Sequence, residues 1–332
     1  MTQDSQRYSD KRLADDFTIY VLFSEPLKGT VAEILEAVAE DYPGIDWSSS
    51  QIGGEIDTQG VTLSTDLGIS KDEARGRTTF MGMPGRCELD WTPIFEMSRI
   101  VNPEAEQAVL RHTDHLSISV GSPQGNTSVA ARFDAARRLT CLGAVFAKLP
   151  ITLGVYFPSA DLLVKPEDWV SAAETAMKGE VPVMQWMALY VNQFQWDGPA
   201  PEPVTVGTIG LAAFNGHELV MPQVQLPAGD AAHWIYMTVR MLLEAGHEFA
   251  DGNTLGVEGQ GKPIRIRLVA EGAETGGQTD QWFLFHEASL LDDEKVLGPR
   301  GGRPPPPGVD NSIMGDWDDL KNKLYSFVAG GR

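Results

Sequence analysis

The run from His115 to Phe157 constrains the fold more than any other part of the chain. HLSISVG (His115–Gly121) alternates apolar and polar residues, the two-residue period of a strand with one buried face. The loop SPQGNTS follows, and Asn126 or Thr127 is placed to cap a long helix from about Ser128 to Lys148. Pro150 stops that helix, and ITLGVYF (Ile151–Phe157) is the next strand.

A second passage of this kind lies farther on. TVGTIGLAAF reads as a strand, and Asn215-Gly216 reads as a tight hairpin into HELVM. Asp230 then caps a helix over Ala231–Gly246, with Ile235, Val239, Leu242 and Leu243 as its apolar stripe. IRIRLV and QWFLFHE are two further strands. Ahead of His115, FTIYVLF (Phe17–Phe23) is a buried strand, and Thr30 with Glu33 forms a capping box for a helix over Val31–Asp41. Two or three short strands are expected between Gly53 and Gly85, and a helical stretch interrupted at Pro103 between Trp91 and Val109. VPVMQWMALYVNQF reads as one long strand.

Helices and hairpins mix here without strict β-α-β alternation. That predicts an α+β fold: mixed, largely antiparallel sheets with two long helices packed on them, arranged in two α/β lobes. The divisions are a flexible arm over 1–16, an N-terminal lobe over 17–112, a C-terminal α+β domain over 113–290, and a Pro/Gly-rich linker with a short helix over 291–332. The aromatic side chains Trp169, Trp186, Tyr190, Phe194, Trp196, Trp234 and Tyr236 are read mainly as core.

Several segments of this C-terminal half also carry a resemblance. They are CLGAVFAKLP, GVYFPSADLL, TVGTIGLAAFNGHELVMP and GHEFADGNTLG. Between about His115 and Phe285 the chain resembles an uncharacterised bacterial family, domain of unknown function 4261. The family's Gly-Leu, aromatic, Gly and Glu-Leu pattern is met by Gly210-Leu211, Phe214, Gly216 and Glu218-Leu219, with His217 in between. Phe157 stands where the family more often has Trp. The resemblance implies a bacterial origin and brings no established catalytic residues.

Charge narrows the partners. With 46 acidic against 26 basic residues the net charge is -20, and no cluster of Lys and Arg is present to neutralise phosphates, so nucleic acid is not an expected partner. Acidity of this size either keeps copies of the chain apart or attracts a basic partner. The polar N-terminus has no apolar core of a signal peptide, and no apolar run approaches the roughly 18–20 residues that span a bilayer. No membrane partner is expected, and two cysteines, Cys87 and Cys141, suit a reducing cytoplasm.

Chemistry-bearing residues are scattered. His217-Glu218, His247-Glu248 and His286-Glu287 offer imidazole beside carboxylate, the ligand types of zinc, but no HExxH spacing sets two imidazoles on one helix face. No metal or cofactor is therefore assigned. His112 and His115 are too loosely spaced to name as ligands, and GxSxG is absent. The loops GMPGRC and VGSPQGNTS match no phosphate-binding pattern, and GVEGQGKP reads as a hairpin.

The loop GHEFADGNTLG carries His247, Glu248 and Asp251. With His217 these are the candidate catalytic residues of a metal-assisted hydrolase. The same loop also reads as a helix stop followed by a tight Asp251-Gly252 turn. Arg265 and Arg267, alternating on one strand face, suit either a carboxylate ligand or, more commonly, a cross-strand pair with Glu271 or Asp280. The expectation that best joins these readings is a non-enzymatic, cytoplasmic binding protein for a basic protein partner, of the immunity, antitoxin or effector-adaptor kind. The hydrolase is the alternative, and a homo-oligomer built by sheet extension is a third.

Overall fold

The computed structural model describes residues 16–45, 55–59, 62–67, 78–121, 128–193, 198, 201–246, 249–257, 260–269, 281–286 and 288–290. Residues 1–15 of the expected arm, the Pro/Gly linker and the terminal helix lie outside the described residues, as do Phe194 and Trp196, while Asp16 already belongs to the first strand. The fold is α+β with mostly antiparallel sheets, and the chain separates into two compact units, dividing between Ala188 and Leu189.

The first unit is built on a six-stranded sheet. Its strands are β1 (Asp16–Phe23), β4 (Thr62–Leu67), β5 (Thr78–Pro84), β6 (Asp114–Gly121), β7 (Thr152–Phe157) and β8 (Leu162–Val164), in the order β4-β5-β6-β1-β7-β8. Every neighbouring pair is antiparallel. A short ribbon of β2 (Lys28–Thr30) and β3 (Glu55–Asp57) stands beside it. The helices are α1 (Val31–Asp41), α2 (Thr92–Ser98), α3 (Ala105–Arg111), α4 (Val129–Ala147), α5 (Pro166–Met177) and the single turn α6 (Val183–Trp186).

Alternation explains the core. Phe17, Ile19 and Val21 of β1 lie opposite Val120, Ile118 and Leu116 of β6, and all six are fully buried. They form one face of the sheet, and α4 packs across β1, β6 and β7. Phe146 of α4 meets Phe23 and Phe80 with ring centroids 6.4 and 6.3 Å apart. Gly143 is required at the closest approach, because a Cβ there would lie 2.6 Å from Trp169 Nε1. Trp169 Nε1 donates to the Thr140 carbonyl at 3.1 Å, and Trp186 Nε1 donates to Thr140 Oγ1 at 2.9 Å. Two indoles thereby lock α5 and α6 to the middle of α4. On the opposite face α2 packs against β8 and α3 against β7.

β1 sits between β6 and β7 and runs against both, so those two strands are parallel to each other with α4 as their crossover. The division expected at 112/113 therefore runs through one sheet: β1 and β5 precede it, while β6 and β7 follow it. The local pattern of His115–Phe157 is complete in itself and conceals that its sheet partners come from far upstream.

The second unit has a mixed six-stranded sheet. Its strands are β9 (Ala188–Gln193), β10 (Val204–Ile209), β11 (Glu218–Val224), β12 (Thr254–Val257), β13 (Gln260–Val269) and β14 (Gln281–Phe285), in the order β12-β13-β14-β11-β10-β9. β11 and β14 are parallel, whereas β10–β11, β12–β13 and β13–β14 are antiparallel. The turn α7 (Ala212–Asn215) and the long helix α8 (Ala228–Glu244) complete it, and α8 packs on β10 and β11 through fully buried Ile235 and Val239 and nearly buried Leu242 and Leu243.

Several local expectations shift by a few residues. Ser128, not Asn126 or Thr127, caps α4 by accepting from the Ala131 N–H at 3.2 Å. Helix α8 starts at Ala228 after Pro227, which places Asp230 in its first turn and not at its cap. The run from Val181 is not one strand, since α6 precedes β9. Asn215-Gly216 ends the turn α7, with Gly216 at φ 88°, instead of forming a two-residue hairpin. Among the described residues no helix is long and apolar enough to cross a membrane.

Candidate functional site

Glu218 opens β11 and is 9% exposed. Its carboxylate accepts from Thr208 Oγ1 at 2.6 Å and from the N–H groups of Gly210, Leu211 and Ala212 at 2.8 to 3.2 Å. The first turn of α7 leaves these N–H groups without helical partners, and an anion there is favoured by their aligned dipoles. Thr208 Oγ1 in turn accepts from the Leu219 N–H at 2.9 Å. One buried carboxylate thus joins the Gly210-Leu211 and Glu218-Leu219 pairs that sequence analysis singled out separately. Tyr190 lies close by over Gly207, where a Cβ would sit 2.5 Å from the Tyr190 Cζ. Burial, and then the Glu218 charge, push its phenol up to about 12.

His217 precedes β11. Its Nδ1 donates to the Asn215 carbonyl at 3.1 Å, and its ring lies 5.2 Å from that of Trp282. Phe249 meets the same Trp282 edge-on at 6.0 Å. Asp251 accepts from the Leu268 N–H at 3.0 Å and from Arg267 Nε at 2.9 Å, and Leu268 is the register partner of Trp282. The structure therefore sets His217 and Phe249 against Trp282 and fastens Asp251 to the adjoining end of β13. His247 and Glu248, the other two candidate catalytic residues, lie outside the described residues.

The bonds at this sheet end are those of a folded turn. The Ala250 N–H donates to Asn253 Oδ1 at 2.7 Å, the Gly252 N–H to the Ile266 carbonyl at 2.9 Å, and the Ile266 N–H to the Asn253 carbonyl at 2.8 Å. Asp251 fastens this turn to β13. Arg267, 4% exposed, takes Asp251 as an ion-pair partner, so its charge is matched from the loop, whereas Glu271 and Asp280 lie outside the described residues.

Of the His-Glu pairs, His217-Glu218 and His286 can be placed, and they do not come together. Glu218 is in register with Gln281 at the start of the parallel β11–β14 pair, whereas His286 follows the end of β14. At about 3.3 Å per residue, the length of β14 keeps His286 roughly 16 Å from the His217 end. Glu287 lies outside the described residues. Among the described residues no group of three or more His, Cys, Asp or Glu side chains is placed to hold a metal ion.

A second cluster, absent from the sequence-based candidates, lies in the first unit on the α2–α3 face of the sheet. Cys87, Leu22, Ile94, Val109, Tyr156 and Leu163 pack together, with Tyr20, Trp91 and Phe95 at the margin. Trp91 meets Tyr156 edge-on at 5.3 Å and His112 edge-on at 6.2 Å, and Tyr20 stacks on Tyr156 at 6.0 Å. Tyr156 donates its hydroxyl proton to Asp161 Oδ1 at 3.1 Å. Asp161 holds a left-handed backbone at φ 52°.

The chemistry of this cluster follows from burial. Desolvation pushes the Cys87 thiol up to about 11, so it is protonated at neutral pH, and Cys141 on α4 up to about 12. His112 accepts from the Cys87 N–H at Nε2 (2.8 Å) and donates from Nδ1 to the Val109 carbonyl. Burial holds it below the ordinary imidazole range, with His115 and Arg86 acting the same way. His115, also lowered by burial, donates from Nδ1 to the Gly85 carbonyl at 3.1 Å. The signal that could have found this cluster is the recurrence of Gly85, Cys87, His112 and His115 at the two ends of paired strands. That recurrence is invisible until β5 and β6 are aligned.

The chain matches no family model, no curated protein and no solved structure.

Proposed function

We propose that this chain is a binding protein of the bacterial cytoplasm that holds a basic protein partner, as an immunity protein, an antitoxin or an effector adaptor does, without chemistry of its own. The observation that carries the reading is the placement of its charges. The net charge is -20, yet Arg132, Arg138, Arg240 and Arg267 are only 2%, 6%, 6% and 4% exposed. Three of these four are matched by carboxylates of the chain itself, Asp134, Glu244 and Asp251. Meanwhile Glu33, Glu36, Glu40 and Asp41 of α1 and Glu167 and Glu174 of α5 are exposed. Such a surface speeds and orders the approach of a cationic partner more than it fixes final affinity.

The bacterial setting rests on the resemblance of His115–Phe285 to domain of unknown function 4261. The hydrolase reading would need His247 and Glu248 beside His217 and Asp251. Of these, Asp251 is already engaged by Arg267 and a backbone N–H, and His217 by Asn215.

Affinity capture of the tagged chain from its native cytoplasm at low salt, with mass spectrometry of what remains bound, tests the proposal. The expected result is one basic protein at near-equal stoichiometry, released by about 0.5–1 M salt, where the screening length falls to roughly 3–4 Å. A partner that is acidic, or one whose hold is indifferent to salt, removes the electrostatic argument. Stoichiometric metal in the purified chain would turn the reading to the hydrolase, and a doubled mass in solution to the homo-oligomer.

A further inference from the structure

The segment Gly85–Trp91 joins β5 to α2 with no helix or strand of its own, and it is fastened at three consecutive residues. The Gly85 carbonyl accepts from His115 Nδ1 at 3.1 Å, and Arg86 Nη2 donates to the Leu110 carbonyl in α3 at 2.7 Å. The Cys87 N–H donates to His112 Nε2 at 2.8 Å. Trp91 Nε1 closes the segment on itself by donating to the Cys87 carbonyl at 3.1 Å. His112 is 1% exposed and Cys87 8% exposed.

The His112 ring donates from Nδ1 to Val109, so Nε2 carries the lone pair that holds the Cys87 N–H. A proton on Nε2 turns that acceptor into a donor and sets two donors face to face in a buried site. The charged and titratable groups around the ring are Arg86 and His115, which oppose the proton, and Asp114, which favours it. The neutral Cys87 thiol and the edge of Trp91 complete the surroundings. His115 behaves differently, because its Nδ1–H bond to Gly85 survives protonation.

We propose that His112 is a proton-operated latch: protonation at Nε2 releases the Gly85–Trp91 segment and admits solvent to the Cys87 thiol, while the sheet and α4 stay folded. Burial lowers the imidazole's proton affinity in the closed form. The latch is therefore fully closed above the ordinary value of 6.5 and loosens as pH falls from there toward the lowered value.

The test uses the full chain. Thiol labelling with a dithiodipyridine is followed between about pH 7.5 and 5, and each rate is divided by that of a cysteine peptide at the same pH, which removes the thiolate fraction. Cys141 on α4, 0% exposed, reports global unfolding in the same sample, and peptide mass separates the two sites. The relative rate at Cys87 should rise by up to about tenfold per pH unit below 6.5 while Cys141 stays unlabelled. His112→Gln removes the titrating ring, so the relative rate at Cys87 should become independent of pH. A flat profile in the unsubstituted chain, or Cys87 and Cys141 labelling together, overturns the latch. Should His112→Gln fail to fold, the ring nitrogen shifts of His112 give its own titration, and a midpoint at or above 6.5 overturns the latch equally, because closure would then gain nothing from the neutral ring.

Discussion

Glu218 shows how a functional-looking residue can be wholly engaged by the fold. Its four accepted hydrogen bonds tie α7, β10 and β11 together in a site that is 9% exposed. Replacing it with alanine leaves three backbone N–H groups and the Thr208 hydroxyl short of an acceptor. Glu218→Ala should therefore cost about 3 kcal/mol in urea unfolding, and Glu218→Gln less, since the amide keeps one acceptor oxygen. An undiminished midpoint in Glu218→Ala would remove the structural role argued here. This outcome was half legible in the chain. The Gly-Leu and Glu-Leu pairs stood out, but their connection needs Thr208 and Glu218 to face each other across β10 and β11. Asp251 was read correctly as a turn residue, because Asp-Gly turns are local. Its ion pair with Arg267 was not foreseen, because the sixteen-residue separation carries no periodic signal. The role of His112, weighed in the sequence only as a metal ligand, is hidden for the same reason: it accepts a backbone N–H twenty-five residues away.

Elements were most readable where a reciprocal cap of sequence neighbours fixes an end. Helix α1 begins at Thr30, which accepts from the Glu33 N–H at 3.2 Å while Glu33 accepts from the Thr30 N–H at 2.8 Å. Thr30→Ala should lower stability by about 1 kcal/mol, measurable as a shift of the denaturant midpoint at unchanged slope. The reading failed where a distant side chain decides the conformation. VPVMQW has the apolar run of a strand, yet Val183–Trp186 turns helically and Trp186 is drawn to Thr140 of α4. Helix α4 carries the stricter test. At Gly143 an added methyl group meets both Ile19 and the Trp169 indole, so Gly143→Ala should cost about 1–3 kcal/mol by overpacking, although alanine is intrinsically the better helix former. A gain in melting temperature on Gly143→Ala would contradict the close approach of α4, β1 and α5.

At the scale of the whole molecule, the α+β class follows from the mix of patterns, but the division of the chain does not. Each local strand–helix–strand passage looks self-sufficient, and nothing in a strand's own residues says which other strand will lie beside it. The expected outcome is that a fragment of residues 13–188 folds with one cooperative transition. A fragment of 113–290, stripped of β1 and β5, should lack one, as circular dichroism during heating would show. The central place of β1 has a further consequence for biosynthesis. Phe17–Phe23 leaves the ribosome well before both of its partner strands, the second of which ends at Phe157. At about 5–20 residues per second, roughly 7–27 seconds pass between Phe23 and Phe157. Until β6 is made, which ends at Gly121, a strand of high β-propensity has both edges unsatisfied, and one edge stays open until β7 follows, which makes the nascent chain a substrate for chaperones long before the acidic surface of the finished protein exists.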